Sequence, residues 1–242
     1  MKPCSLLGNV NCVETMGLLD GPGIRIVVFM QGCHLRCVYC HNPETWCFKE
    51  ENMMSVDEVV DKVLRYKSYI SNGGGVTFSG GEPLVQSEFI LECCKKLKKE
   101  NIHICIDTAG VATGYEELVD YVDLFIVDIK SLDEKEYKDI TGHNMDLFYK
   151  FMKHVSEKEK KMWLRQVIVP SINDDEEHVA KLVDYSKTLK NVEKVELLAY
   201  HAMAKEKYDK LNMKYILDGI DNLSRDKLDY LNDILNKKLA EK

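Results

Sequence analysis

Short apolar, β-branched runs alternate with helical patterns along this chain, and that alternation limits the fold more than any other feature of the sequence. The runs lie at residues 24–30, 76–79, 103–107, 124–128, 162–169 and 195–200. Between the first two, Ser55 followed three positions later by Glu58 forms a capping-box signature, and Val56, Val59, Val63 and Ile70 trace one apolar helical face. Further helices are expected over 87–99, 115–121, 175–189 and 224–239, the last with Leu228, Leu231, Leu235 and Leu239 on one stripe. Such repetition predicts an α/β fold in which helices cover parallel strands. Six units are too few to close an eight-stranded barrel, so the expectation is a partial (β/α)6 TIM-like barrel with its helices outside and its functional loops at the C-terminal ends of the strands.

No repeat, low-complexity tract or Pro/Gly/Ser-rich linker divides the 242 residues, and a hydrophobic fraction of 45% suffices for one substantial core, so a single domain over 1–242 is expected. Forty acidic against thirty-three basic side chains give a net charge of -7, without the broad positive field that nucleic-acid binding needs. The most apolar run, 24–30, is too short to span a bilayer, and the first twelve residues hold one lysine and no long apolar stretch. A cytoplasmic monomer with no nucleic-acid or membrane partner is expected.

Nine cysteines form an odd set without a disulfide framework, which points to metal or redox chemistry. Cys33, Cys37 and Cys40 follow the first strand as Cys-X3-Cys-X2-Cys. A structural zinc site closes four protein ligands, usually as two pairs, so this triplet would have to recruit Cys47 or His41. An iron–sulfur cluster on three thiolates leaves one iron open to another molecule, and an open iron implies chemistry. Cys93, Cys94 and Cys105 fall on helix or strand faces and read as small buried hydrophobes, while Cys4, Cys12 and Cys47 have no assigned role.

Other polar motifs end the later strands. In Ser79-Gly80-Gly81-Glu82-Pro83 two glycines permit close backbone approach and Glu82 offers an acceptor for an ammonium group, although an ordinary βα turn reads the same way. Asp107 and the pair Asp128 and Lys130 end the third and fourth strands, with helix capping and a surface ion pair as the bland alternatives. Arg165 lies within an apolar strand and needs an anion, from the protein or from a ligand; His201 follows the last strand.

The cysteine loop, with the aromatic Tyr39 directly before Cys40, resembles the radical S-adenosylmethionine superfamily, whose pattern is Cys-X3-Cys-X-aromatic-Cys. The resemblance narrows to glycyl radical enzyme activases at Asp20-Gly21-Pro22-Gly23-Ile24-Arg25 and Tyr39-Cys40-His41-Asn42-Pro43. Through Gly80-Gly81-Glu82, Asp128-Ile129-Lys130, Trp163-Leu164-Arg165 and Leu197-Leu198-Ala199-Tyr200-His201 it spans nearly the whole chain. It implies a 4Fe-4S cluster on Cys33, Cys37 and Cys40, with the amino and carboxylate groups of S-adenosylmethionine on the fourth iron. By the same resemblance Tyr39, Asn42, Gly80, Gly81, Glu82, Lys130 and His201 surround that molecule, and Asp107 and Asp128 also hold a monovalent cation. Asp20 and Arg165 then face an incoming peptide. The implied reaction makes a 5′-deoxyadenosyl radical that takes hydrogen from a backbone glycine of a partner, here pyruvate formate-lyase, with flavodoxin or ferredoxin as electron donor.

Two positions depart from the pattern, Ala199 for a proline and Ala109 for an asparagine; neither removes a charged contact. Activases of anaerobic ribonucleotide reductase resemble the chain less, being shorter and leaving the fifth and sixth strand units unassigned. A zinc-binding interaction module would make the Gly-Gly-Glu and Asp-Ile-Lys placements coincidental.

Overall fold

A computed structural model describes residues 6–241. Its strands are β1 (Leu7–Gly17), β2 (Arg25–Met30), β3 (Met53–Ser55), β4 (Gly75–Gly80), β5 (His103–Thr108), β6 (Leu124–Asp128), β7 (Lys161–Ile168) and β8 (Val192–Ala199). They form one sheet in the order β3-β1-β2-β4-β5-β6-β7-β8, with β3 and β8 as its two edges. Strand β2 pairs in parallel with β4 from Arg25↔Gly75 to Met30↔Gly80, β4 pairs in parallel with β5, and β7 with β8. The α/β fold with a mostly parallel, unclosed sheet is the one expected.

All six expected strands are present. Strands β1 and β3 are additions, and both pair antiparallel. Asn9, Asn11 and Glu14 interrupt β1, and its register with β2 shifts twice, so neither a buried run nor a clean alternation marks it. Strand β3 has three residues and takes its place from pairing with β1.

The helices are α1 (Val56–Leu64), α2 (Lys67–Ile70), α3 (Ser87–Lys99), α4 (Glu116–Tyr121), α5 (Glu134–Thr141), α6 (Asp146–Glu157), α7 (Glu176–Thr188), α8 (Lys205–Lys210) and α9 (Arg225–Ala240). The capping box forms as expected: Ser55 Oγ accepts from Glu58 N, and Glu58 Oε2 accepts from Ser55 N. Helix α1 ends at Leu64, however, so Ile70 reaches the buried layer from the separate short helix α2. Helices α5, α6 and α8 were not expected. In α5 the helical start comes from the Asp133 cap rather than from an apolar stripe. Among the described residues no helix is long and apolar enough to cross a membrane.

The chain groups into two compact units. The first holds the residues up to His34, Thr45–Ile126 and Asp146–Lys161; the second holds Leu35–Glu44, Val127–Met145 and the residues from Met162 onward. Neither is continuous in sequence, and no linker separates them. In the first, Phe151 of α6 meets Phe125 and Tyr115 edge-on, with ring centroids 5.5 and 5.3 Å away. In the second, Met162, Leu164, Gln166 and Ile168 of β7 are buried while the residues between them are partly exposed, the period-two pattern of a strand with one covered face. Helices α7 and α9 pack together there, with Val179, Leu182, Val183, Leu231 and Leu235 buried.

Phe151→Ala removes a fully buried ring and is expected to cost about 3–5 kcal/mol, whereas Ser55→Ala loses one cap and about 1 kcal/mol. Denaturant unfolding followed by circular dichroism checks the ranking; equal losses would contradict it.

Candidate active site

In the first unit the end of β4 presses against the segment that leads into Cys33. Gly81 N donates to Met30 O and Glu82 N to Gly32 O, each at 2.9 Å. Gly80 has φ +109°, and a Cβ there would lie 2.4 Å from Met30 N; at Gly81 it would lie 2.3 Å from Gly32 O. Both glycines thus have a reason inside the protein, the close approach of two main chains, apart from any ligand.

This contact delivers Glu82, which is 1% exposed, to the rim of β5. Its carboxylate accepts from Leu84 N at 3.1 Å, Ala109 N at 3.0 Å and the Thr108 hydroxyl. Burial pushes its pKa up to about 7, against the pull of these donors, and the Asp107 charge adds to the rise. Asp107 caps no helix; it accepts from Ser79 Oγ at 2.9 Å, and α4 has Tyr115 at its cap position. Thr108 went unremarked in the sequence, where its place beside Asp107 was the available signal.

Asp20 lies elsewhere in this unit. Its carbonyl accepts from Thr77 Oγ1 at 2.6 Å, and that hydroxyl accepts from Nε of the fully buried Arg25 at 3.0 Å. Thr77 is the third residue of β4, so the Asp20 main chain meets the strand nearer its start than Glu82 does.

The second unit carries Cys37, Tyr39, Cys40 and Asn42 on one loop. Arg36 N and Val38 N donate to Thr141 O and Ile140 O at 2.8 and 2.9 Å, which ties the loop to the end of α5, and Cys40 N donates to Cys37 O at 3.0 Å. Burial pushes the Cys37 thiol up to about 12. Such a thiol stays protonated until a cation takes its sulfur. Lys130 is paired with Asp128 and its ammonium lies 5.2 Å from the centre of the Tyr39 ring. Burial opposes the Lys130 charge, but Asp128 foremost and then Tyr39 and Cys37 hold its proton well above the ordinary lysine value. The ion pair is largely buried, unlike the surface pair considered from sequence.

The His201 and His41 rings lie against each other at a 32° tilt with centroids 4.1 Å apart, and His41 Nε2 lies 3.1 Å from His201 O. Asn42 Oδ1 accepts from Lys207 Nζ at 2.9 Å. Arg165, whose anion was undetermined, pairs with Glu196 at 3.0 Å across the β7–β8 register. The protein supplies that charge.

Tyr39 Oη, Asp128 Oδ1 and His201 Nδ1 are among the buried polar atoms of this unit that make no hydrogen bond, as are Gln166 Oε1 and Asn191 Nδ2. Buried polar atoms are rarely left so, and a ligand with both donors and acceptors would satisfy the first three. Among the described residues no three or more His, Cys, Asp or Glu side chains are gathered as a metal cage. The fit to a cluster therefore rests on the donor set itself, three thiols within eight residues, two of them joined in one turn. Cys93, Cys94 and Cys105 are fully buried, as expected of small hydrophobes; Cys47 is exposed, Cys12 is half-buried and Cys4 lies outside the described residues.

A carboxyl raised from 4.5 to about 7 stabilises the fold fully below pH 4.5 and loses that contribution as the pH rises through 7, on the order of 3 kcal/mol in all. Glu82→Gln, which does not ionise, is expected to narrow the fall in melting temperature of the cluster-free protein between pH 5.5 and pH 8. An unchanged fall would place the titration elsewhere.

A profile of the Radical SAM superfamily matches residues 27–183. The pyruvate formate-lyase-activating enzyme of Clostridium pasteurianum is 46% identical over 236 residues, covering 97% of this chain and 99% of that one. The pyruvate formate-lyase 1-activating enzyme of Escherichia coli K12 is 35% identical over 238 residues, covering 96% of this chain and 97% of that one. Among solved structures, a domain of a pyruvate-formate lyase-activating enzyme from Bacteroides vulgatus shares the fold, with a TM-score of 0.55 at 24% identity over 69% of this chain and 95% of that one. With a superfamily profile over more than half its length and relatives this similar from end to end, the chain belongs to the radical SAM superfamily and, within it, to the pyruvate formate-lyase-activating enzymes.

Proposed function

We propose that this chain activates pyruvate formate-lyase by installing a glycyl radical in it. The observation that carries the reading is the complete Cys-X3-Cys-X-aromatic-Cys loop in a chain 46% identical, over 97% of its length, to an enzyme of that name. A 4Fe-4S cluster held by Cys33, Cys37 and Cys40 would supply the electron for cleaving S-adenosylmethionine, the chemistry by which hydrogen would be taken from a backbone glycine of the partner.

The residues of this chain divide the remaining work. Cys33, Cys37 and Cys40 hold three irons and leave the fourth open. Glu82, poised near neutrality, accepts from the ammonium group of S-adenosylmethionine, whose charge draws the carboxylate fully into its ionised form. Lys130 brings a proton-holding ammonium to the acceptors of the same molecule, and Tyr39 Oη and His201 Nδ1 offer polar contacts that the protein leaves unfilled. Gly80 and Gly81 keep the wall at Glu82 thin, and Asn42 is a further contact of S-adenosylmethionine in this reading. Asp107 and Asp128 offer carboxylate oxygens of the kind a cation takes, for the monovalent cation of this reading. Asp20 and Arg165 meet the incoming glycine segment, Arg165 with its charge tempered by Glu196.

Residues 1–242 act as a single radical SAM domain; the superfamily match runs through both compact units, and neither is a continuous stretch. Flavodoxin or ferredoxin suits the low potential that the cleavage needs. A cytoplasmic monomer accords with a chain of nine cysteines, whose thiols a reducing compartment preserves.

The reduced protein, S-adenosylmethionine and pyruvate formate-lyase, mixed without oxygen, are expected to give the doublet of a glycine-centred radical in the electron spin resonance spectrum. Cys37→Ala is expected to abolish both cluster iron and cleavage. Formation of 5′-deoxyadenosine without the doublet would retain the radical chemistry and exclude this partner.

A further inference from the structure

Helix α5 holds the cysteine loop by its last two carbonyls. Thr141 O and Ile140 O accept from Arg36 N and Val38 N, the amides on either side of Cys37. The last carbonyls of a helix have no partner inside it, so the loop supplies what α5 lacks and stays only as firmly in place as α5 itself. Tyr137, Ile140 and Thr141 bury one face of that helix. Its polar side is tied down by a histidine from another helix.

His178 of α7 stands between two carboxylates. Its Nε2 lies 3.0 Å from Glu136 Oε2 of α5, and its Nδ1 lies 2.9 Å from Asp175 Oδ2. A neutral imidazole donates from one nitrogen and turns a lone pair outward at the other, so only the protonated ring bonds to both. Burial opposes that charge, but Asp175 and then Glu136 hold the His178 proton above the ordinary histidine value. Asp175 also caps α7 by accepting from His178 N at 2.9 Å, and the other carboxylate oxygen of Glu136 makes no hydrogen bond. The His178 and Glu136 side chains are 20% and 21% exposed, so water screens them less than it does an ordinary surface pair.

The neighbouring charges leave this arrangement intact. Asp133 caps α5 by accepting from Glu136 N at 2.8 Å, and Lys181, one turn along α7, pairs with Glu177 at 2.7 Å within the field of Asp133 and Glu136. Asp174 accepts from Ser171 N at 2.8 Å, and Tyr230 of α9 gives its hydroxyl to Glu176.

We propose that His178 is a positioning residue for the cysteine loop: its protonated ring ties α5 to α7, and through α5 it steadies the main chain on both sides of Cys37. Because the folded value lies above the ordinary 6.5, the tie is complete below pH 6.5 and is lost as the pH rises through the folded value. The inference goes beyond the function proposed above, since it concerns no ligand.

Hydrogen exchange of the Arg36 and Val38 amides, measured in the full-length protein without oxygen and corrected for the intrinsic effect of pH, tests it. Protection is expected to fall about tenfold between about pH 6 and about pH 9, the scale of a lost bond to a charged group. His178→Gln, neutral throughout, is expected to show the lower protection at both ends of that range. His178→Arg, charged throughout and with donors for both carboxylates, is expected to show the higher. Glu136→Gln keeps an acceptor without the charge; it is expected to reduce the fall to less than about threefold and serves where the histidine variants do not fold.

An equal fall in the parent and in His178→Gln would place the titration elsewhere and overturn the proposal, as would a flat profile in the parent. A His178→Arg protein as loosely held as His178→Gln would mean that the ring merely packs, and would overturn it too. The measurement needs neither S-adenosylmethionine nor pyruvate formate-lyase, so failure of the proposed function would leave its result standing.

Discussion

The site depends on two main chains touching where side chains would keep them apart. Glycine at 80 and 81 lets the end of β4 hydrogen-bond to Met30 O and Gly32 O, and a methyl group at either position would sit within 2.5 Å of backbone atoms. That contact orders the departure of the chain from β2 toward Cys33 and simultaneously turns Glu82 inward, under the hydroxyl of Thr108 and two backbone donors. The buried Glu82 carboxylate and the first cysteine of the loop are thus set by one packing event rather than by two.

Electrostatics then separates the two kinds of buried charge. Glu82 has neutral donors and no cation, so burial dominates and its proton is retained to near-neutral pH. Lys130 has Asp128 against it, so attraction outweighs the same burial. One carboxyl keeps its proton for want of a cation, and one ammonium keeps its charge because a carboxylate lies beside it. The carboxylate of Asp128 is satisfied on one oxygen only.

The parallel strands were legible because apolar and β-branched residues cluster in each, and all but the edge strand β8 have neighbours on both sides. Strand β1 was not, since Asn9 and Asn11 owe their places to partners 77 and 20 residues away, Gln86 and Gln31, which no local pattern foretells. The capping box at Ser55 was readable for the opposite reason, being complete within four residues. At the site, the cysteine triplet and the Gly-Gly-Glu and Asp-Ile-Lys motifs stood out by spacing. The contacts of Thr108 and Glu196 did not, because each is made with a distant residue: Glu82 and Arg165. Sequence showed that Arg165 needs an anion; only the β7–β8 register showed which one.

The interleaving of the two units bears on how the protein is made. A ribosome releases the cysteine loop at residues 35–44 about a hundred residues before Ile140 and Thr141, the carbonyls that anchor Arg36 and Val38, and earlier still than Tyr200 and Lys207. Phe151, which completes the aromatic core around Phe125, also emerges after that loop. During synthesis the thiols therefore stand open while their future walls are still inside the translation machinery, so maturation can accept iron before the polypeptide closes around it.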